Sequence, residues 1–220
     1  MDYSELREAV DAQMLMQQAL EKLDAQRRQK AMRARDSSAR ASCVGAGLLL
    51  QKAVAEQNLS SAFFRYFKVR DLIASLEHPR DLHLVFGPNG KPEFADRAFR
   101  FSLSHSGDYA LCAVSDHPVG ADIERIRTRN MRAGERYFAA SERKRLAACA
   151  TEEERQDLFH CLWTRKEAFG KMLGVGVLAV LDRDPSVENE LKWLEFPIPE
   201  GYAACVCQCS ETARFLQKQE

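Results

Sequence analysis

The 220-residue sequence has no charge excess of either sign. Lys plus Arg and Asp plus Glu each number 32, so the formal net charge is +0 and the pI about 7.0. Proteins that hold nucleic acid by neutralising phosphates normally carry a basic surplus, so no nucleic-acid partner is expected. Long apolar runs are missing too. The longest, Val44 to Leu50, already contains Gly45 and Gly47 and falls far short of the roughly 20 residues of a membrane span, so no membrane association is expected. The opening Met1-Asp2-Tyr3-Ser4-Glu5 is acidic with no apolar segment behind it, unlike a secretory leader. Seven cysteines cannot all pair, which points to free thiols and a reducing, cytoplasmic setting. Glycine and proline are sparse, at 11 and 7 residues, which excludes collagen-like and low-complexity chains. What remains, 45% hydrophobic and 29% charged, is the composition of a folded water-soluble domain.

The order of elements is mixed. The first forty residues read as polar helix, turning basic from Arg27 to Arg40. Such a run is either a solvated face or an anion-binding border, and the segment alone does not decide between them. Ser42 to Gln57 is an apolar helix. Asp81 to Phe86 reads as a strand before the turn cluster Gly87-Pro88-Asn89-Gly90. Phe99, Phe101 and Leu103 alternate with Arg100, Ser102 and Ser104, the period of a half-buried strand. Two more strands follow, Tyr109 to Val114 and Val119 to Glu124. Ser141 to Ala150 is a short helix with Ser141 as its expected N-cap, and Thr151 with Glu154 forms a capping box for a longer one. That helix stops at Gly174 and Gly176. Strands from Leu191 to Phe196 and Tyr202 to Cys209 close the chain. The expected class is α+β, with two comparable halves, residues 1–117 and 118–220.

Chemistry concentrates in three places. In Gly120-Ala121-Asp122-Ile123-Glu124 the strand period sends Val119, Ala121 and Ile123 to one face and both carboxylates to the other. Two acceptor-only groups side by side suit a hard cation such as magnesium; the alternative is a solvated acidic face. In Trp163-Thr164-Arg165-Lys166-Glu167-Ala168-Phe169-Gly170-Lys171, positions 163, 167 and 171 share a helix face. Glu167 and Lys171 are either an ordinary helical ion pair or a carboxylate and a cation held ready for a phosphorylated substrate. Ser102-Leu103-Ser104-His105-Ser106-Gly107 gathers hydrogen-bond donors at the end of a strand. A Ser104–His105 nucleophile pair is excluded there, because neighbouring strand residues project to opposite faces. Gly90-Lys91-Pro92 adds a cation on a turn. The alternating Cys205, Cys207 and Cys209 lack C-x-x-C spacing and read as packing residues rather than a zinc site.

In combination these segments resemble the 4'-phosphopantetheinyl transferases, specifically the surfactin-type branch. Gly120-Ala121-Asp122-Ile123-Glu124 is similar to the family's G-[IV]-D-[IV]-E, and Trp163 to Ala168 with Lys171 to its W-x-x-K-E-A-x-x-K. Gly90-Lys91-Pro92 and Phe101 to Ser106 recur in the family order. Ala121 departs from the usual Ile or Val, and the family's opening strand is replaced by residues that read as helix. The resemblance implies two α+β halves related by a pseudo-two-fold, with coenzyme A bound between them as substrate. It implies transfer of the phosphopantetheine arm to a serine of an apo acyl or peptidyl carrier protein by a monomer. It implies Mg²⁺ held by Asp122, Glu124 and Glu167, catalysis by Glu167 and Lys171, and coenzyme A contacts from Arg40, Lys91, Ser104, His105, Lys166 and Lys171. The alternative is a coenzyme A or carrier-protein binding module without catalysis.

Overall fold

The computed structural model describes residues 3–55, 73–74, 76, 80–96, 99–107, 109–127, 136–194, 196 and 198–209. Three helices open the chain: α1 (Tyr3–Glu21), α2 (Ala25–Met32) and α3 (Ser37–Ala55). Asp24 starts α2 by accepting a hydrogen bond from the Arg27 amide at 3.0 Å, a side-chain N-cap. Asp36 does the same for α3 through the Ala39 amide at 2.7 Å. The apolar centre of α3, Val44 to Leu50, is buried against Leu20 and Leu23 of the preceding segment and Phe101 and Val114 beyond. Gly47 permits that contact, since a Cβ there would lie 2.6 Å from Leu23.

Strands β1 (Leu84–Phe86) and β2 (Pro92–Phe94) form a hairpin, β3 (Arg100–Ser106) and β4 (Tyr109–Ser115) a second, and β5 (Val119–Arg125) pairs with the late strand β7 (Tyr202–Cys209). β6 (Leu191–Leu194) completes this three-stranded antiparallel sheet in the order β5-β7-β6. Helix α4 (Ala140–Ala147) precedes the long α5 (Glu152–Leu173), which lies across β5 and β7. The described chain is therefore α+β.

Two local expectations need correction. Ser141 does not cap α4: the N-cap is Ala139, whose amide donates to Glu142 Oε2 at 3.0 Å, while the Ser141 hydroxyl donates to Asp184 at 2.6 Å. A glutamate three residues in satisfies the free amide, which releases the serine for the loop after α5. The helix also ends earlier than residue 150, because Ala148 turns out of it. Thr151 and Glu154 do make the reciprocal capping box, and Gly174, at φ 73°, closes α5 in the left-handed region.

Residue 120 sets how α5 meets the sheet. A Cβ on Gly120 would lie 1.8 Å from the Ala168 carbonyl oxygen and 2.7 Å from the Met172 amide nitrogen. The helix backbone thus rests directly on β5. Everything one turn either side of Ala168, including Glu167 and Lys171, is delivered to the strand carrying Asp122 and Glu124.

Candidate active site

Along β5 the residues alternate as their spacing requires: Val119, Ala121 and Ile123 are fully buried in an apolar cluster with Val206. Asp122 points the other way and is still only 2% exposed. Its Oδ1 accepts from Lys171 Nζ at 2.6 Å and from the Ser104 hydroxyl at 2.7 Å, and Lys171 also donates to Ser104 at 3.0 Å. Its Oδ2 is buried with no hydrogen-bond partner among the described residues. A buried carboxylate oxygen left bare is costly and marks a place where a further positive group fits.

Glu167 and Glu124 share this environment. Burial, then the charge of Asp122, pushes the Glu167 carboxyl from the ordinary 4.5 up to about 7, with Glu124 adding to the effect and Lys171 opposing it. Burial and Asp122 also raise Glu124, against the Ser106 hydroxyl that donates to its Oε2 at 3.0 Å. The charge of Asp122 thus acts on both glutamates and that of Glu124 on Glu167, with the Lys171 ammonium opposing both shifts. Among the described residues no three acidic, cysteine or histidine side chains are grouped tightly enough to enclose an ion as they stand. The donor set nevertheless suits a hard divalent cation: three carboxylates, one orphaned buried oxygen, and mutual repulsion that such an ion would relieve.

Beside this cluster lies a cleft of about 500 Å³, lined by Arg27, Lys30, Asn89, Gly90, Lys91, Pro92, Phe101, Ser102, Leu103, Lys171, Gly174, Val175 and Gly176. Four cations from three segments converge there: Arg27 and Lys30 of α2, Lys91 of the β1–β2 turn and Lys171 of α5. Arg27 is 8% exposed, sits 5.9 Å over the Phe101 ring, and leaves Nε and Nη2 without partners among the described residues; burial depresses its pKa. Lys91 is held at the end of α5, where its Nζ donates to the Met172 carbonyl at 3.3 Å and Asn89 Nδ2 to that of Gly174 at 3.0 Å. These are the free carbonyls of a helix C-terminus, which favour a cation. Burial lowers the Lys91 pKa, and Arg100 adds to this. His105 is exposed on β3 and is lowered by partial desolvation and by Lys171 and Lys30.

Of the residues expected to touch coenzyme A, Lys91 and Lys171 line this cleft, and Arg40, Ser104, His105 and Lys166 are not among its lining residues. Lys166 is 0% exposed and pairs with the equally buried Glu142 at 2.6 Å, donates to the Arg183 carbonyl, and lies 5.0 Å from the Phe138 ring centre. One step along a helix rotates a side chain by about 100°, so the neighbour of Glu167 faces α4 and not the cleft. The Arg40 Nε, like that of Arg27, is buried with no hydrogen-bond partner among the described residues. Arg27 and Lys30, from the same basic run, do line the cleft. The one signal favouring them is the spacing of three from the N-cap Asp24, which puts Arg27 on the first turn of α2 and Lys30 on its last. Trp163, on the Glu167 face, stacks near Phe138 and Phe159 and anchors α5. Cys207 and Cys209 are fully buried, and the Cys207 thiol is pushed up to about 12, which fits packing rather than reactivity.

Residues 118–207 match the family model of the 4'-phosphopantetheinyl transferase superfamily. The matched segment covers less than half of the chain. It contains all three carboxylates and Lys171, and it excludes Arg27, Lys30, Lys91 and the serines of β3. Among curated relatives, the chain is 39% identical over 121 residues to the 4'-phosphopantetheinyl transferase psf-1 of Bacillus pumilus, covering 54% of this chain and 52% of the relative. It is 36% identical over 132 residues to gsp of Aneurinibacillus migulanus, covering 53% and 54%. With Sfp of Bacillus subtilis (strain 168) the identity is 30% over 123 residues, covering 56% and 54%. The chain spans about half the length of these transferases in each match. No helix among the described residues is long and apolar enough to cross a membrane.

Proposed function

We propose that this protein transfers the 4'-phosphopantetheine arm of coenzyme A to a serine hydroxyl of an apo acyl or peptidyl carrier protein, leaving adenosine 3',5'-bisphosphate. The observation that carries the reading is the meeting of a cationic cleft with a buried three-carboxylate cluster at Lys171. Coenzyme A is a polyanion with a pyrophosphate at its centre, and a cleft with partly unpaired Arg27 beside Lys30 and Lys91 offers charge-assisted donors to it. Residues 1–117 supply these phosphate contacts, with Ser104 and His105 at the border, and residues 118–220 supply the carboxylates. Asp122, Glu124 and Glu167 would hold Mg²⁺, which when bound neutralises charge developing on the pyrophosphate.

The serine oxygen forms a new bond to the phosphorus bearing the pantetheine arm, and the bond from that phosphorus to the bridging oxygen breaks. Catalysis of such a step is mainly positioning and charge stabilisation. Lys171 steadies the phosphate oxygens. Glu167 takes the serine proton directly or through water. One chain furnishes both walls of the cleft, so the working unit is a monomer, and its free thiols suit a reducing cytoplasm.

The test is incubation with coenzyme A, Mg²⁺ and a panel of apo carrier proteins, read by intact mass. A carrier gaining one arm, with activity lost on EDTA addition, supports the reading. Arg27→Ala should then raise the KM for coenzyme A by about tenfold or more, the loss of a charged hydrogen bond. Coenzyme A bound but never consumed would leave the binding module; consumption without any carrier would make it a hydrolase.

A further inference from the structure

Ser102, Ser104 and Ser106 alternate along β3, so all three hydroxyls face β5. Each finds a different partner. Ser102 Oγ accepts from the Ala121 amide at 2.9 Å. Ser104 donates to Asp122 Oδ1 at 2.7 Å while accepting from Lys171. Ser106 donates to Glu124 Oε2 at 3.0 Å and accepts from the Arg125 amide at 3.0 Å. The partners advance along β5 in the same direction as the serines, so the two strands run parallel, joined by side chains at these three points.

The directions of these bonds matter. A hydroxyl already accepting from a cation or amide has its proton committed to the carboxylate, so Ser104 and Ser106 cannot swing away without breaking two bonds. Ser104 and Lys171 both take the same oxygen of Asp122 and leave Oδ2 open and buried. We infer that Ser104 and Ser106 are positioning residues, which fix Asp122 and Glu124 in the rotamers that present oxygen to a divalent cation, while Ser102 only joins the strands. This rests on the metal-dependent reading of the site above, and assigns Ser104 to the carboxylate first and to the substrate second. Groups that orient metal ligands from outside typically govern affinity by 10–100-fold.

The test is Mn²⁺ titration by electron paramagnetic resonance on the full chain, without and with coenzyme A, taking the tighter native condition as reference. Ser106→Ala should bind Mn²⁺ about tenfold more weakly, and Ser106→Thr, which keeps the hydroxyl, should restore most of the affinity. Ser102→Ala should lower the melting temperature and keep native Mn²⁺ affinity, because its hydroxyl meets no carboxylate. Equal weakening in Ser102→Ala and Ser106→Ala, unchanged affinity in Ser106→Ala, or no Mn²⁺ binding by the native chain in either condition would overturn the inference. Should the graded Mn²⁺ response appear while no carrier is modified, the inference stands and the transferase reading falls.

Discussion

Glu167→Gln separates stability from activity at the centre of the cluster. The wild-type carboxyl rises from 4.5 to about 7 on folding, so between those values the folded chain binds a proton that the unfolded chain releases. Stability tied to this group is therefore fully present below about pH 4.5 and lost as pH climbs through about 7. The difference amounts to about 3 kcal/mol by pH 8, at 1.36 kcal/mol per tenfold change. Glutamine mimics the neutral acid at nearly the same volume and carries no such loss. Urea unfolding at pH 5 should give wild type and variant similar midpoints. At pH 8 the variant should unfold later, by roughly 1 M urea for a slope of 2–3 kcal/mol per molar, though it transfers nothing. Added Mg²⁺ should stabilise the wild type at pH 8 and leave the variant nearly unmoved. Midpoints that stay parallel from pH 5 to pH 8 would refute the claim that Glu167 is strained by its neighbours.

Two further substitutions probe the scaffold. Gly120→Ala drives a methyl group into the Ala168 carbonyl, which is backbone and cannot swing aside, so a loss of about 3 kcal/mol or more is expected in chemical denaturation. Lys166→Met strands the Glu142 carboxylate in the interior and should cost about 3–5 kcal/mol, with much of it recovered by adding Glu142→Gln. A Lys166→Met protein of native stability with a raised KM for coenzyme A would instead place that lysine against phosphate.

The legible parts of the fold were those governed by local periodicity. The strand spacing of 119–124 gave the buried and polar faces of β5, and the capping box gave the start of α5. Ser141 was misread because a capping preference is local, whereas Asp184, forty-three residues on, competes for its hydroxyl. The surroundings of Lys166 were hidden for a similar reason: it sits beside Glu167 in sequence and about a quarter-turn away in space, and only α4 reveals that it pairs with Glu142. Arg27 and Lys30 were inside a recognised basic run, yet singling them out required knowing where Phe101 and Lys171 lie. The serine bridges were beyond reach, since no pattern in residues 102–106 names Asp122 and Glu124 as partners.

The hydroxyl bridges also bear on solubility. β5 is the outermost member of its three-stranded sheet, and such a margin ordinarily offers bare amides and carbonyls to any passing strand. Here the Ala121 and Arg125 amides are already occupied by side chains of β3. Cleaving the chain just before Val119 and removing the upstream portion would strip away that cover. The remaining fragment would keep every carboxylate of the cluster and be prone to self-association through its exposed margin.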